Sequence, residues 1–176
     1  MAAMAGCLGP FPSHPESAEN PALRPEIFFA GHTRGTGTLG TLTGRRRSVQ
    51  VESHGHTEAD GSFRLDQVVT FDDGAVEKRT WRLVRRDSRT YAATLSDAAG
   101  PVSAEATGNR FHLRYLLRKP AVYMEQWLYL QPDGRRVLNL ATITAFGIPL
   151  ARLTEEITKI EEHESESAQR PFRAHP

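Results

Sequence analysis

Cys7 is the only cysteine in 176 residues. No intramolecular disulfide and no cysteine-based zinc site can therefore form. No apolar run approaches the roughly 18 residues of a membrane-spanning helix. An excess of one charge is missing too. Lys+Arg number 22 against 21 for Asp+Glu, a net charge of +1, which gives no electrostatic ground for nucleic acid as a partner. There is no nucleophile elbow with an ordered Ser/His/Asp set and no phosphate-loop glycine pattern. The residues thus nominate no catalytic group and no cofactor. Apolar residues make up 39% of the chain, below the usual globular share, and polar tails at both ends account for the shortfall.

What the chain does have is turns. Asp60-Gly61, Asp73-Gly74, Gly108-Asn109 and Asp133-Gly134 punctuate short alternating segments between Gly35 and Ile160. Such spacing is that of an all-β sandwich or barrel of about nine or ten strands, and consecutive hairpins favour a single antiparallel up-and-down β-barrel. Helix is scarce. Ala145–Leu153 is the one internal candidate, and Gly147 and Pro149 limit it to a turn. Residues 1–25 carry Pro10, Pro12, Pro15, Pro21 and Pro25 among polar residues, a composition that predicts a flexible segment. Residues 161–176 read as a charged, disordered tail, which leaves 26–160 as the barrel domain.

Period-two patterning assigns faces. Phe111, Leu113, Tyr115 and Leu117 point one way, with Arg110, His112, Arg114 and Arg118 opposite. Phe63, Leu65, Val69 and Phe71 form a second apolar face, and Val49 and Val51 a third. Val122–Leu130 is bulky on both sides, with Tyr123, Trp127 and Tyr129 on one and Val122, Met124, Leu128 and Leu130 on the other. It calls for a cover: a terminal segment, a short helix, or a second copy in a homodimer. Arg89–Ser96 and Pro101–Thr107 are rich in Ala, Ser and Thr. Their small inward residues leave room either for large neighbours or for a ligand.

Several constellations invite a chemical reading. His54-Gly55-His56 places two imidazoles on one strand face, with Glu52 beside them and His32 or His112 as a distant third ligand. That face lies opposite Val49 and Val51, so it meets solvent, and no metal site is assigned. Asp72-Asp73-Gly74 lacks the oxygen ligands of a calcium loop and reads as a hairpin turn. Arg79 and Trp81 share a face with Glu77 and Leu83. Either the guanidinium stacks on the indole to close the barrel, or it awaits a carboxylate or phosphate of an amphipathic ligand. An interior Arg79 needs a partner, with Glu77, Glu125 and Asp66 as candidates. Asn139 lies beside Val137 and Ala141 as a backbone clamp or a ligand contact. The basic clusters Arg45-Arg46-Arg47, Arg85-Arg86, Arg118-Lys119 and Arg135-Arg136 fall at strand ends. They either keep turns soluble or meet anionic headgroups at one rim.

A set of short motifs runs through the body in order. They are Phe28-Phe29-Ala30-Gly31 with Gly35-Thr36-Gly37, then Phe71-Asp72-Asp73-Gly74 and Arg79-Thr80-Trp81. Ser96-Asp97, Gly100, Gly108-Asn109, Trp127-Leu128-Tyr129-Leu130, Asn139 and Phe146-Gly147 follow. Together they resemble a family of bacterial proteins defined only as a domain of unknown function, many of them envelope lipoproteins. Two positions depart from the family pattern: Gln126 stands where relatives usually carry an acid, and Thr144-Ala145 where they carry Ser-Lys. The resemblance implies a calycin- or lipocalin-like barrel with an envelope or lipid-related role. Met4-Ala5-Gly6-Cys7 is similar to the end of a bacterial lipoprotein signal, but only six residues precede Cys7, fewer than an apolar signal core of roughly 7–15 residues needs. Two readings stay open: a cytoplasmic protein as the sequence stands, or an envelope lipoprotein whose signal lies upstream.

These observations lead to an expected function of non-catalytic binding of a small apolar or amphipathic, lipid-like molecule. Its candidate contacts are Arg79, Trp81, Tyr115, Glu125, Trp127 and Asn139. The alternatives are an enzyme working in the same cavity through Arg79, Glu125 and Asn139, and an interaction module that dimerises through Val122–Leu130.

Overall fold

The computed structural model describes residues 13–161. Cys7 and residues 162–176 of the expected tail lie outside them. A four-residue helix, α1 (Pro25–Phe28), precedes ten strands. The first five are β1 (Gly31–Thr41), β2 (Arg46–Thr57), β3 (Phe63–Phe71), β4 (Val76–Arg85) and β5 (Thr90–Leu95). Then come β6 (Val102–Thr107), β7 (Arg110–Arg118), β8 (Val122–Leu130), β9 (Arg136–Ala145) and β10 (Ile148–Ile160). Each strand pairs antiparallel with the next, and β10 pairs with β1 to close the barrel. The fold is the single antiparallel up-and-down barrel that the turn pattern predicts.

The turns form for local reasons. In the β3–β4 hairpin Gly74 sits at φ 82°, where a side chain would be strained, and the Asp73 carboxylate accepts from the Ala75 N–H at 3.2 Å. Asp133 accepts from the Arg135 and Arg136 N–H groups in the same way. Asp87 takes the Thr90 hydroxyl and the N–H groups of Arg89 and Thr90, which pull its carboxyl down to about 2. Ala145–Leu153, the candidate helical turn, is instead the β9–β10 hairpin. Phe146 (φ 50°) and Gly147 (φ 79°) both take positive φ, which closes a tight hairpin and excludes a right-handed helix.

Alternation sorts the side chains as expected. Phe111, Leu113 and Tyr115 are buried while Arg114 is exposed. His54 and His56 point outward, where His54 stacks on His32 at 4.6 Å and His32 meets Glu52 at 2.5 Å. Gly55, between the two histidines, points inward. A Cβ there would strike the Phe29 carbonyl and the Phe63 ring, so this glycine seats the chain that closes one end of the barrel.

That end is plugged from the N-terminal side. Residues 13–25 are the described part of the segment whose composition predicts flexibility. Leu23 is 1% exposed, and with Phe28 and Phe29 it enters the main core. The Leu23 N–H donates to the Gly108 carbonyl, and Ala18 exchanges bonds with Asn109: Ala18 N–H to Asn109 Oδ1 at 2.9 Å, and Asn109 N–H to the Ala18 carbonyl at 2.8 Å. Average composition hides this, because a single leucine and a turn asparagine hold the strap. Further along it, His14 reaches the Tyr129 hydroxyl at 2.8 Å and sets its ring edge-on to Trp127. The Trp127 and Tyr129 part of the bulky outer face of β8 is thus covered by a terminal segment, the first of the three covers its sequence calls for.

Two substitutions test this closure. Leu23→Ala is expected to lower unfolding free energy by about 2–5 kcal/mol in urea titrations; a loose strap would leave the midpoint unchanged. Gly55→Ala, which overfills the seat, is expected to cost about 1–3 kcal/mol by the same measurement.

Candidate functional site

The inward faces of β1–β4 and β7–β10 enclose a cavity of about 260 Å³. Its walls are mainly apolar, including Phe29, Leu65, Trp81, Leu113, Leu128 and Ile157. Glu77 and Asp97 also line it and are exposed, so the cavity reaches solvent at the end opposite α1. There Arg47 lies over the Phe71 ring at 3.9 Å and binds Asp73 at 2.6 Å. The small-residue strands do not supply this space. Ala104 and Ala106 are buried in a core cluster with Tyr91, Phe111 and Tyr115, so large neighbours take the room they leave.

A polar band crosses the apolar interior. Asn139 Nδ2 donates to Glu155 at 2.9 Å and to Gln126 Oε1 at 3.2 Å, and Gln126 donates to the Tyr115 hydroxyl at 3.3 Å. On the facing wall the Trp81 indole N–H donates to Gln67 at 2.9 Å, and Gln67 donates to Ser53 at 3.1 Å. Arg79 bears on both Glu155 and Tyr115. Burial pushes the Glu155 carboxyl up, against the pull of the Asn139 bond and the Arg79 charge. Burial likewise pushes the Tyr115 phenol up to about 12, with Arg79 opposing. Two buried polar atoms in this band, Arg79 Nε and Asn139 Oδ1, have no hydrogen-bond partner among the described residues. One is a donor and the other an acceptor. Unmatched groups of this kind carry a desolvation cost of about 1–3 kcal/mol each.

Glycine makes the band possible. In β1, Gly35 and Gly37 lie beside β10, where Gly37 faces Glu155 in register. A Cβ on Gly35 would meet the Glu155 carboxylate, and one on Gly37 would meet the β10 backbone at Thr154 and Glu155. The Gly35-Thr36-Gly37 motif is therefore the space in which the Glu155 side chain lies.

Three of the six candidate residues, Arg79, Trp81 and Asn139, line the cavity together. Tyr115, fully buried, stands behind the wall and reaches the band through Gln126. The ring that Trp81 meets edge-on is Tyr115, at 5.6 Å. Glu125 and Trp127 are outside. Glu125 pairs with His112 at 2.9 Å, and Trp127 stacks on His112 at 3.7 Å with the Arg110 guanidinium 5.0 Å from its ring. Both follow the outward phase of β8, so the trio Arg79, Glu125 and Asn139 does not assemble. Asp66 is also outward, bound to Arg64 and Thr80. Sequence reading passed over Gln67, Gln126 and Glu155 as interior groups. The signal was present in each case: a polar residue in phase with an apolar face, Glu155 between Leu153 and Ile157 being the plainest.

The Glu155 shift has a stability consequence. Its folded pKa is raised, so the neutral acid is favoured by folding. The contribution is full below the unfolded value and is lost as pH rises through the folded value. Wild type is expected to lose thermal stability as pH rises above the ordinary glutamate range and through the raised folded value, and Glu155→Gln to lose less. Parallel melting curves would disprove the assignment.

Known proteins place this geometry. A solved structure of the S-type phycobiliprotein lyase CPES from Guillardia theta is similar at TM-score 0.62 and 10% identity, covering 78% of this chain and 91% of that one. A redesigned β-barrel, mFAP1, bound to DFHBI, is similar at TM-score 0.41 and 11% identity, over 78% of this chain and 100% of that one. At such identities the first likeness speaks for the fold alone. No curated protein matches. The profile described as "Protein of unknown function (DUF3833)" matches residues 1–159, and the chain belongs to that family.

Proposed function

We propose that the barrel binds a small amphipathic molecule in its interior. An apolar body would lie against Leu65, Leu113, Leu128 and Ile157, and an acceptor-bearing end would meet the Arg79 guanidinium. The observation that carries this reading is the Arg79 Nε, without a hydrogen-bond partner among the described residues, on the wall of a largely apolar cavity. A half-buried guanidinium favours a planar anionic acceptor such as a carboxylate. The volume, about 260 Å³, lies just under the usual range for small-molecule pockets of about 300–1,000 Å³, which suits a medium-length chain better than a long lipid. A barrel of this fold serves as a phycobiliprotein lyase in Guillardia theta, but sites are grafted onto folds independently, so the argument rests on the wall residues.

Calorimetric titration with decanoate and with 1-decanol tests the reading. Decanoate is expected to bind more tightly by about tenfold or more, the worth of one charge-assisted hydrogen bond. Arg79→Met is expected to level the two affinities. Failure of both probes to bind, together with no retained small molecule in native mass spectra of gently purified protein, would sink the proposal.

A further inference from the structure

The end of the barrel opposite α1 carries the β1–β2, β3–β4, β5–β6, β7–β8 and β9–β10 connections. Three of them are laced together: Leu42 N–H donates to the Leu150 carbonyl at 2.7 Å, and Phe146 N–H to the Ala121 carbonyl at 3.1 Å. On two of these tips, β1–β2 and β9–β10, large apolar side chains stand in water. Phe146 is 73% exposed and Ile148 58%, with Leu150 and Leu42 beside them. Phe146 holds φ 50°, a conformation that glycine would take at lower cost. A strained phenylalanine projecting from a hairpin tip has no role in packing the barrel.

The charges on the three laced connections and the strand ends beside them are cationic. Arg45 and Arg46 lie at the end of the β1–β2 connection and the start of β2, Arg118 and Lys119 at the end of β7 and just after it, and Arg152 just inside β10. Arg46, Arg118 and Lys119 are exposed. The acids at this end, Asp72, Asp73, Glu77 and Asp97, belong to the β3–β4 and β5–β6 side. Of these, Asp73 reaches across to Arg47 at 2.6 Å and to Arg45 at 3.5 Å. The four basic clusters of the sequence therefore divide between the ends of the barrel. Arg45–Arg47 and Arg118-Lys119 share this rim, while Arg85-Arg86 and Arg135-Arg136 lie at the plugged end.

We propose that this rim docks on an anionic lipid bilayer. Phe146, Ile148 and Leu42 enter the boundary between headgroups and acyl chains, and Arg46, Arg118 and Lys119 meet lipid phosphates. Apolar side chains flanked by cations suit a surface that is both apolar and negatively charged. A symmetric contact between two copies would set these cations against each other, which opposes self-association through the same face. The cavity reaches solvent at this end, so docking brings its mouth to the membrane, but the proposal does not depend on the ligand.

Co-sedimentation of the full, unlipidated chain with phosphatidylcholine vesicles, with and without about 30 mol % phosphatidylglycerol, tests this. Binding is expected to the anionic vesicles and to weaken between about 50 mM and about 300 mM salt. Phe146→Gly with Ile148→Ser, and separately Arg46→Glu with Lys119→Glu, are each expected to lower apparent affinity by about tenfold or more. Phe146→Gly is expected to keep or raise the melting temperature, so that a loss of binding is not a loss of fold. No sedimentation with anionic vesicles at low salt would overturn the proposal. So would equal binding by both variants, or a dimer that Phe146→Gly dissolves.

Discussion

The antiparallel pairing of β1 with β10, from His32 opposite Ile160 to Thr41 opposite Ala151, turns an open meander into a barrel and so gives every strand an inside and an outside. Without it β1 would be an edge with unpaired backbone groups. With it, alternate residues answer to different solvents. His54 and His56 stay in water while Gly55 between them makes room for the plug. Leu113 faces the cavity while the neighbouring Arg114 lies over Tyr123 on the outer surface, 4.9 Å from its ring.

The same closure confines a set of polar groups inside. A carboxyl and a guanidinium in an apolar interior are costly to desolvate, and the fold offsets the cost unevenly. Glu155 gains the Asn139 amide and a gap formed by two glycines. Arg79 keeps an Nε with no partner among the described residues. Asn139 itself donates to two neighbours while its own oxygen has no partner among the described residues. A network satisfied on one side and left open on the cavity side differs from a purely structural clamp, in which every member is paired.

Much of this architecture was legible beforehand, because period-two patterning and turn chemistry are local and strong. The Phe111–Leu117 and Phe63–Phe71 faces, the hairpin turns and the outward histidines follow from spacing alone. Three features did not. The strap of residues 13–25 depends on Leu23 and Asn109 finding each other across the fold, a tertiary contact that composition averages away. Glu125 and Trp127 drew notice for their chemistry, although their phase on β8, shared with Tyr123 and Tyr129, already placed them outside. Glu155 was missed for the converse reason: its charge suggested surface, whereas its phase with Leu153 and Ile157 placed it within. In each strand case phase decided against residue type.

Closure also has a history in time. The residues that β1 must meet, Ala151 to Ile160, are synthesised after nine other strands, and pairing between such distant segments is slow in folding. Until β10 emerges, the growing chain is a meander with an exposed first strand and no enclosed space. Glu155 arrives on that final strand. The interior and its acid are therefore completed in one step, and a chain stopped short of β10 would lack a pocket as well as a strand.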